Sequence, residues 1–137
     1  MGLILDSSVL IASERRGQNA RLALSELAIR FAGEDVALSV ITLVELAHGV
    51  ARADSAQRKA SRRQFVAELT LAMPVHPVSS SIALRAGEID AENSAKGIRL
   101  ALADLLIGVT ALELGYRIAT SNPRHFQLIP GLEVLSL

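Results

Sequence analysis

The feature of the sequence that most constrains the fold is a regular alternation of short apolar runs with longer segments of helical periodicity. The short runs cover residues 2–5, 36–40, 75–78, 117–120 and 133–137. Runs of this length without polar alternation are typical of strands covered on both faces, as in parallel sheets. Because the runs alternate with helical segments, we predict one three-layer α/β/α domain over residues 1–137, with a central five-stranded parallel sheet.

The segments between the runs predict helices. They cover residues 7–16, 20–32, 41–53, 57–73, a stretch from the capping residues 79–81 to about 96, and 100–114. Glycines that are typical of helix C-termini follow four of them, at Gly17, Gly33, Gly97 and Gly115. Pro74 and Pro77 lie at the third strand, and since proline has no N–H for strand pairing, we place that strand at an edge of the sheet.

The composition excludes several classes of protein. Hydrophobic residues make up 50% of the chain and charged residues 20%, which is typical of a folded domain. The lack of cysteine removes disulfides, Cys-based zinc sites and a thiol nucleophile. Aromatic residues are only 3%, too few to stack successive bases. The 14 basic and 14 acidic residues balance, so the chain lacks the positive surplus of a generic nucleic-acid binder.

Membrane and export signals are absent from the sequence. The N-terminal residues show no basic region ahead of an apolar one, as a signal peptide would. The most apolar stretch, residues 100–114, is too short to cross a bilayer and contains Asp104 and Glu113. We expect a cytoplasmic protein with no membrane partner.

Three acids stand out because each is a single carboxylate within an apolar run. These are Asp6, Glu45 and Asp104. Burying an ionised carboxylate without a partner is costly. Arg99 is the only Lys or Arg within six residues of any of the three, so pairing with local basic residues does not account for them.

The predicted topology brings these acids together. Asp6 ends the first strand, Glu45 follows the second, and Asp104 lies early in the helix before the fourth. Ligands of open parallel sheets bind at this carboxyl edge. Carboxylates that share a pocket need a cation, and ligands that offer only oxygen suit Mg²⁺ or Mn²⁺. Such an ion activates water and stabilises charge on a phosphodiester.

Each acid also has a local interpretation within its own helix. Asp6 suits the N-cap of the first helix. Thr42-x-x-Glu45 matches a capping box, in which the glutamate reaches back to the helix N-terminus. Asp104 lies where an acid faces the positive end of the helix dipole. From the residues alone, both the metal site and these local roles stay open.

Four segments resemble the motifs of the PIN-domain family, and within it the VapC-like ribonuclease toxins of bacterial type II toxin–antitoxin systems. In chain order they are Leu3–Ile11, Ser39–Gly49, Asp104–Gly115, and a last one made of Thr120–Phe126 and Ile129–Leu132. The resemblance implies the PIN-like fold, with a five-stranded parallel sheet between helices. It also implies cleavage of RNA that depends on Mg²⁺ or Mn²⁺, a homodimer, and a cognate antitoxin as partner.

The resemblance also assigns site residues. Asp6, Glu45 and Asp104 take the family's metal-binding and catalytic acid positions, and Asn122 takes a later position where it orients the water or joins the metal. His125 stands where the family commonly has an acid, which leaves the number of metal ions open. This departure also favours an alternative, a catalytically weak or silent PIN-like domain that acts by binding antitoxin or RNA. His125 itself either contacts a phosphate, donates a proton, or is simply solvent-exposed.

Further residues are candidates for contact with RNA. Ser7, Ser8 and Thr120 lie beside the predicted site, and Arg124 lies in the last segment. Between residues 52 and 63 there are five basic residues and one acid; the basic ones are Arg52, Arg58, Lys59, Arg62 and Arg63. This segment predicts contact with RNA phosphates or an acidic antitoxin segment, or is a solvated helix face.

Two other kinds of enzyme fit the sequence poorly. A phosphatase of the haloacid dehalogenase type needs a second Asp two residues after the first, where this chain has Ser8. P-loop and Rossmann chemistry need a Gly-rich loop after the first strand, and none is present.

Overall fold

The short apolar runs form the strands of one sheet in the computed structural model, which describes residues 1–137. The strands are β1 (Gly2–Leu5), β2 (Asp35–Ser39), β3 (Val75–His76), β4 (Arg117–Thr120) and β5 (Val134–Ser136). All neighbouring strands are parallel, in the order β3-β2-β1-β4-β5. All four residues of β1 are buried, because the strand has a neighbour on each side and helices above and below. The predicted five-stranded parallel sheet is confirmed.

Helices connect the strands, and every predicted helix is present with ends within two residues of the prediction. They are α1 (Ser7–Arg15), α2 (Ala20–Arg30), α3 (Val40–Ala51), α4 (Ala56–Ala72), α5 (Ser80–Ala95) and α6 (Leu102–Leu114). A short 3₁₀ helix at Pro123–His125, here called the closing turn, was not predicted, since three residues carry no periodicity. None of the helices combines the length and the hydrophobicity of a membrane-spanning segment.

Three strands differ from the prediction by one or two residues at their ends, and two of these differences have a clear physical cause. β3 lies at the edge of the sheet, as predicted, but it ends before Pro77, which has no N–H to continue the pairing. Val40 begins α3 instead of ending β2, because the Ser39 hydroxyl accepts a hydrogen bond from the N–H of Ile41 at 3.1 Å and caps the helix.

The sheet separates two hydrophobic clusters. Leu3 and Leu5 point into the cluster that contains residues of α1 to α4, and Ile4 points into the cluster formed by α5 and α6. Phe126 belongs to the second cluster and is fully buried. Because Phe126 directly follows the closing turn, its burial fixes that turn beside α6.

Candidate active site

Asp6 directly follows β1 at the point where β4 also ends. Leu5 pairs with Ala119 across the two strands, so Asp6 lies beside Thr120. The hydroxyls of Ser8 and Thr120 both donate to Oδ2 of Asp6, at 2.7 and 2.9 Å. Asp6 is only 4% exposed, and its Oδ1 accepts no hydrogen bond from the protein. One oxygen of this buried carboxylate is therefore held in place and the other is free.

Glu45 lies in the second turn of α3 and reaches across to the start of α1. The hydroxyl of Ser7 donates to Oε1 of Glu45 at 3.0 Å. Because Ser7 is buried and directly follows Asp6, this hydrogen bond holds Glu45 close to Asp6.

The capping interpretations of these two acids are wrong. Asp6 occupies the N-cap position of α1, but its side chain accepts no capping hydrogen bond. α3 begins directly after Ser39, so Thr42 lies inside the helix, where its hydroxyl donates to the carbonyl oxygen of Leu5 at 3.5 Å. Glu45 therefore does not form a capping box with Thr42, and both carboxylates lie near the end of β1.

Asp104 lies in the first turn of α6, so the interpretation that places it at the positive end of the helix dipole agrees with the structure. Nδ1 of His125 lies 3.2 Å from Oδ2 of Asp104. The side chain of His125 is 54% exposed, whereas that of Asp104 is 15% exposed. His125 is therefore half-exposed and also part of the site, which brings the closing turn into contact with the acids.

The pKa values show that the acids share one electrostatic environment. Burial raises the pKa of Glu45, the hydrogen bond from Ser7 lowers it, and the charges of Asp6 and Asp104 raise it further. Burial also raises the pKa of Asp104, while His125 lowers it and the charge of Asp6 raises it. These charge effects indicate that the three carboxylates face the same part of the site, where their like charges repel.

A family model described as PIN domain matches residues 3–132 of the chain. The chain belongs to the PIN-domain family. The resemblance inferred from the four segments is thus confirmed, and the match runs from β1 past the closing turn.

Curated relatives match this PIN domain over nearly their full length. It is 30% identical over 137 residues to "Ribonuclease VapC" of Rickettsia bellii, covering 100% of this chain and 97% of the relative. It is 34% identical over 131 residues to "Ribonuclease VapC10" of Mycobacterium tuberculosis, covering 96% and 90%. A chain from the crystal structure of DNA-bound VapBC from Salmonella typhimurium superposes with a TM-score of 0.78 at 25% identity, covering 99% and 98%. The PIN domain is therefore of the VapC type.

The acids of the PIN domain fit a divalent cation by their chemistry. In the present side-chain arrangement, no three His, Cys, Asp or Glu side chains form a cluster with metal-ligand spacing. However, the three acids offer only oxygen, the charge of Asp6 raises the pKa of Glu45 and of Asp104, and Asp6 has a free oxygen although it is nearly fully buried. Oxygen ligands of this kind suit Mg²⁺ or Mn²⁺.

The remaining predicted residues differ in how close they lie to the acids. Thr120 and Ser7 contact the carboxylates directly. Asn122 is exposed, and its backbone N–H donates to the hydroxyl of Thr120 at 2.9 Å. Arg124 lies in the closing turn and is exposed without an ion-pair partner among the protein's acids. Arg63 is exposed on α4.

Arg62 is part of the internal structure of the PIN domain. Its Nε lies 3.3 Å from Oε1 of Glu14, and its Nη1 donates to the carbonyl oxygen of Gly49 at 2.7 Å. The side chain is 25% exposed. It therefore joins α4 to α1 and α3, and two of its donors are already used.

A groove of about 450 Å³ leads away from Ser7 and Glu45 between α1, α3 and α4. Its floor is apolar, and its walls carry charged groups; the apolar residues are Leu10, Ile11, Leu46, Phe65 and Val66. Arg15, His48 and Arg52 lie along the walls. Neither Arg15 nor His48 was predicted to belong to a functional site, since both lie outside the basic segment and the acidic positions. His48 follows Glu45 by three residues on α3, a helical spacing that places both on one face.

Proposed function

We propose that this PIN domain is a metal-dependent endoribonuclease and the toxin of a toxin–antitoxin pair. The observation that carries the proposal is the meeting of Asp6, Glu45 and Asp104 at the carboxyl edge of the sheet, where the charge of Asp6 raises the pKa of both Glu45 and Asp104. Two relatives that match at least 96% of the chain are ribonucleases by name. As an enzyme acting on cellular RNA, the protein would work in the cytoplasm.

Asp6, Glu45 and Asp104 would hold Mg²⁺ or Mn²⁺, with Asn122 beside them to orient water or join the metal. When bound, such an ion lowers the pKa of a water molecule and stabilises the charge on the scissile phosphate. The chain itself positions the acids. Ser8 and Thr120 fix one oxygen of Asp6, so that its free oxygen stays available for the ion.

The structure changes which residues we propose for contact with RNA. Ser7 and Thr120 donate their hydroxyl protons to carboxylates, so we assign them to positioning the acids. Arg124 is exposed next to His125 in the closing turn, and Arg63 is exposed on α4. These two arginines are therefore our candidates for phosphate contact, whereas Arg62 is committed to Glu14 and Gly49.

The groove fits a segment of a cognate antitoxin. Its apolar floor suits the apolar face of a peptide, and Arg15 and Arg52 on its walls suit acidic side chains. Because the groove begins at Ser7 and Glu45, a segment bound there would cover one of the three acids. Binding of the antitoxin would then inhibit the ribonuclease.

We also propose a homodimer. Val44 and Leu102 are 62% and 68% exposed, and they lie one and two residues from Glu45 and Asp104. Large exposed apolar side chains beside a functional site are typical of a surface that a partner covers. Sedimentation of the purified protein, alone and with Val44 and Leu102 both changed to Ser, tests this; the wild type is expected to be a dimer and the double variant a monomer.

The ribonuclease proposal is tested by cleavage of a labelled RNA with purified protein in Mg²⁺ or Mn²⁺. Asp6→Asn and Asp104→Asn keep the shape of the side chains but remove the charge, and each is expected to abolish cleavage without unfolding the protein. Asp54→Asn is the matched control, since Asp54 is an exposed acid that pairs only with Arg58. Full activity in either site variant, or cleavage that persists in a chelator, would contradict the proposal.

One observation favours the alternative of a catalytically silent domain. His125 stands in contact with Asp104, where it adds no carboxylate to the site. If the domain only binds antitoxin or RNA, we expect calorimetry to detect no Mn²⁺ binding at this site. The wild type and Asp104→Asn would then give the same titration.

A further inference from the structure

The three acids of the site share one pattern: in each carboxylate the protein engages one oxygen and leaves the other without a donor. Oδ2 of Asp6 accepts from Ser8 and Thr120, and its Oδ1 is free. Oε1 of Glu45 accepts from Ser7, and its Oε2 is free. These hydroxyl contacts hold two of the acids with a single oxygen available each.

Asp104 follows the same pattern, but its partner is a histidine. Nδ1 of His125 lies 3.2 Å from Oδ2 of Asp104, and no other protein donor contacts this carboxylate. The position of His125 is fixed from the other side, because the next residue, Phe126, is fully buried against α6. The burial of Phe126 therefore fixes the backbone at His125, and its half-exposed imidazole lies over one oxygen of Asp104.

We propose that His125 is a positioning residue for Asp104 that restricts the pocket to a single divalent cation. The inference rests on the function proposed above. The free oxygens of the three acids would hold one Mg²⁺ or Mn²⁺, and water or substrate would supply its remaining ligands.

A second ion would lack ligands in this pocket. In two-metal sites the ions lie about 3.5–4 Å apart, which requires carboxylates that offer oxygen to both ions. Here Oδ2 of Asp6 already accepts two hydrogen bonds, which occupy both of its lone pairs, and Oδ2 of Asp104 faces His125. Neither His125 nor the exposed Asn122 adds a negative charge to offset a second cation.

Calorimetric titration of the full-length protein with Mn²⁺, at a fixed mildly alkaline pH, tests the inference without relying on catalysis. We expect one Mn²⁺ per chain in the wild type. His125→Ala is expected to retain one ion but to bind it about tenfold more weakly, the usual effect of losing a residue that orients a metal ligand. His125→Gln keeps an N–H donor and is expected to restore part of the affinity.

His125→Asp is the decisive variant, because it removes the donor on Asp104 and adds a carboxylate. We expect a second Mn²⁺ per chain, visible both in the titration and as spin coupling between two Mn²⁺ ions in electron paramagnetic resonance. Gln127→Ala is the matched control, since Gln127 is exposed next to the same turn and its side chain makes no hydrogen bond; it is expected to bind like the wild type.

Three results would overturn the inference. Two Mn²⁺ ions per chain in the wild type, or unchanged affinity in His125→Ala, would show that His125 neither limits nor positions the site. Complete loss of binding in His125→Ala would make it a ligand. In all three cases the ribonuclease proposal stands as long as Asp6→Asn abolishes cleavage, whereas a wild type that binds no Mn²⁺ and cleaves no RNA overturns both.

Discussion

At the scale of single residues, the site depends on hydroxyl groups as much as on acids. Thr120 is fully buried at the end of β4, where its hydroxyl donates to Asp6 and accepts from the backbone N–H of Asn122 at 2.9 Å. Ser8 donates to the same oxygen of Asp6 and accepts from the N–H of Ser121 at 3.0 Å. The two hydroxyls thus connect the end of β1 with the chain that leads to the closing turn.

Thr120→Val tests this connection because valine keeps the shape of threonine and removes the hydroxyl. Asp6 loses one donor and the N–H of Asn122 loses its acceptor, so the free energy of unfolding should fall by about 1–3 kcal/mol. RNA cleavage should fall as well, since the carboxylate is less firmly placed. Thr120→Ser restores the hydroxyl and should recover most of both. Urea unfolding and RNA cleavage rates, measured on the same preparations, test both expectations. Equal activity in Thr120→Val and Thr120→Ser would contradict the role of the hydroxyl in positioning Asp6.

The sequence could identify the acids but not their partners. Asp6, Glu45 and Asp104 are recognisable because each interrupts an apolar run. The contact between His125 and Asp104 depends on where the burial of Phe126 places the closing turn, and no local pattern contains this information. The Thr42-x-x-Glu45 pattern was misleading for a similar reason, since Ser39 caps α3 instead.

At the scale of elements, α4 combines two kinds of basic residue. Arg62 bridges to Glu14 on α1 and to the backbone of Gly49 on α3, which fixes one wall of the groove. Arg63, its neighbour, is exposed and forms no ion pair. Adjacent residues on a helix point in different directions. Arg62 therefore stabilises the packing of the helices, whereas Arg63 is available to a partner at the surface.

The pair Arg62→Ala and Arg63→Ala separates these roles. Arg62→Ala leaves Glu14 and the carbonyl of Gly49 without their donor, and the free energy of unfolding should fall by about 1–3 kcal/mol. Arg63→Ala should leave stability unchanged and weaken RNA binding, with the slope of log affinity against log salt reduced by about 0.7, the value for one phosphate contact on a single strand. Chemical unfolding and binding titrations at several salt concentrations provide the two readouts. An unchanged salt slope in Arg63→Ala would exclude this residue from the RNA interface.

Elements were the most predictable level of the structure. Helical periodicity and short apolar runs located all six helices and all five strands, and Pro77 correctly indicated an edge strand. The closing turn was missed because its three residues are too few to form a pattern. It is nevertheless the element that brings His125 to the acids.

At the scale of the whole molecule, balanced charge conceals an uneven distribution. The chain has 14 acidic and 14 basic residues, and three of the acids repel one another at one edge of the sheet. No Lys or Arg forms an ion pair with these three acids, so the site concentrates negative charge in a molecule with no net charge. The repulsion destabilises the metal-free protein and, in the function proposed above, favours the binding of a cation.

The raised pKa values of Glu45 and Asp104 predict the sign of a pH effect on the metal-free protein. The pKa of each group is higher in the folded state than its ordinary value, which is 4.5 for Glu45 and 3.8 for Asp104. Below these values both states are protonated and stability is at its full level. As pH rises through the raised values, the folded state holds more protons than the unfolded chain, and the free energy of unfolding falls.

Comparison with Asp104→Asn isolates this effect from other titrating groups. The variant removes one of the repelling charges, so the metal-free variant should be more stable than the metal-free wild type at neutral and alkaline pH, and the difference should shrink as pH falls toward about 4. Mn²⁺ binds only the folded state and should therefore raise the melting temperature of the wild type while leaving that of Asp104→Asn nearly unchanged. Melting curves across pH, with and without Mn²⁺, provide the measurement. The opposite result would be a metal-free Asp104→Asn variant that is less stable than the wild type at neutral pH. It would mean that the Asp104 carboxylate stabilises the fold, and it would contradict the interpretation that this charge destabilises the metal-free protein.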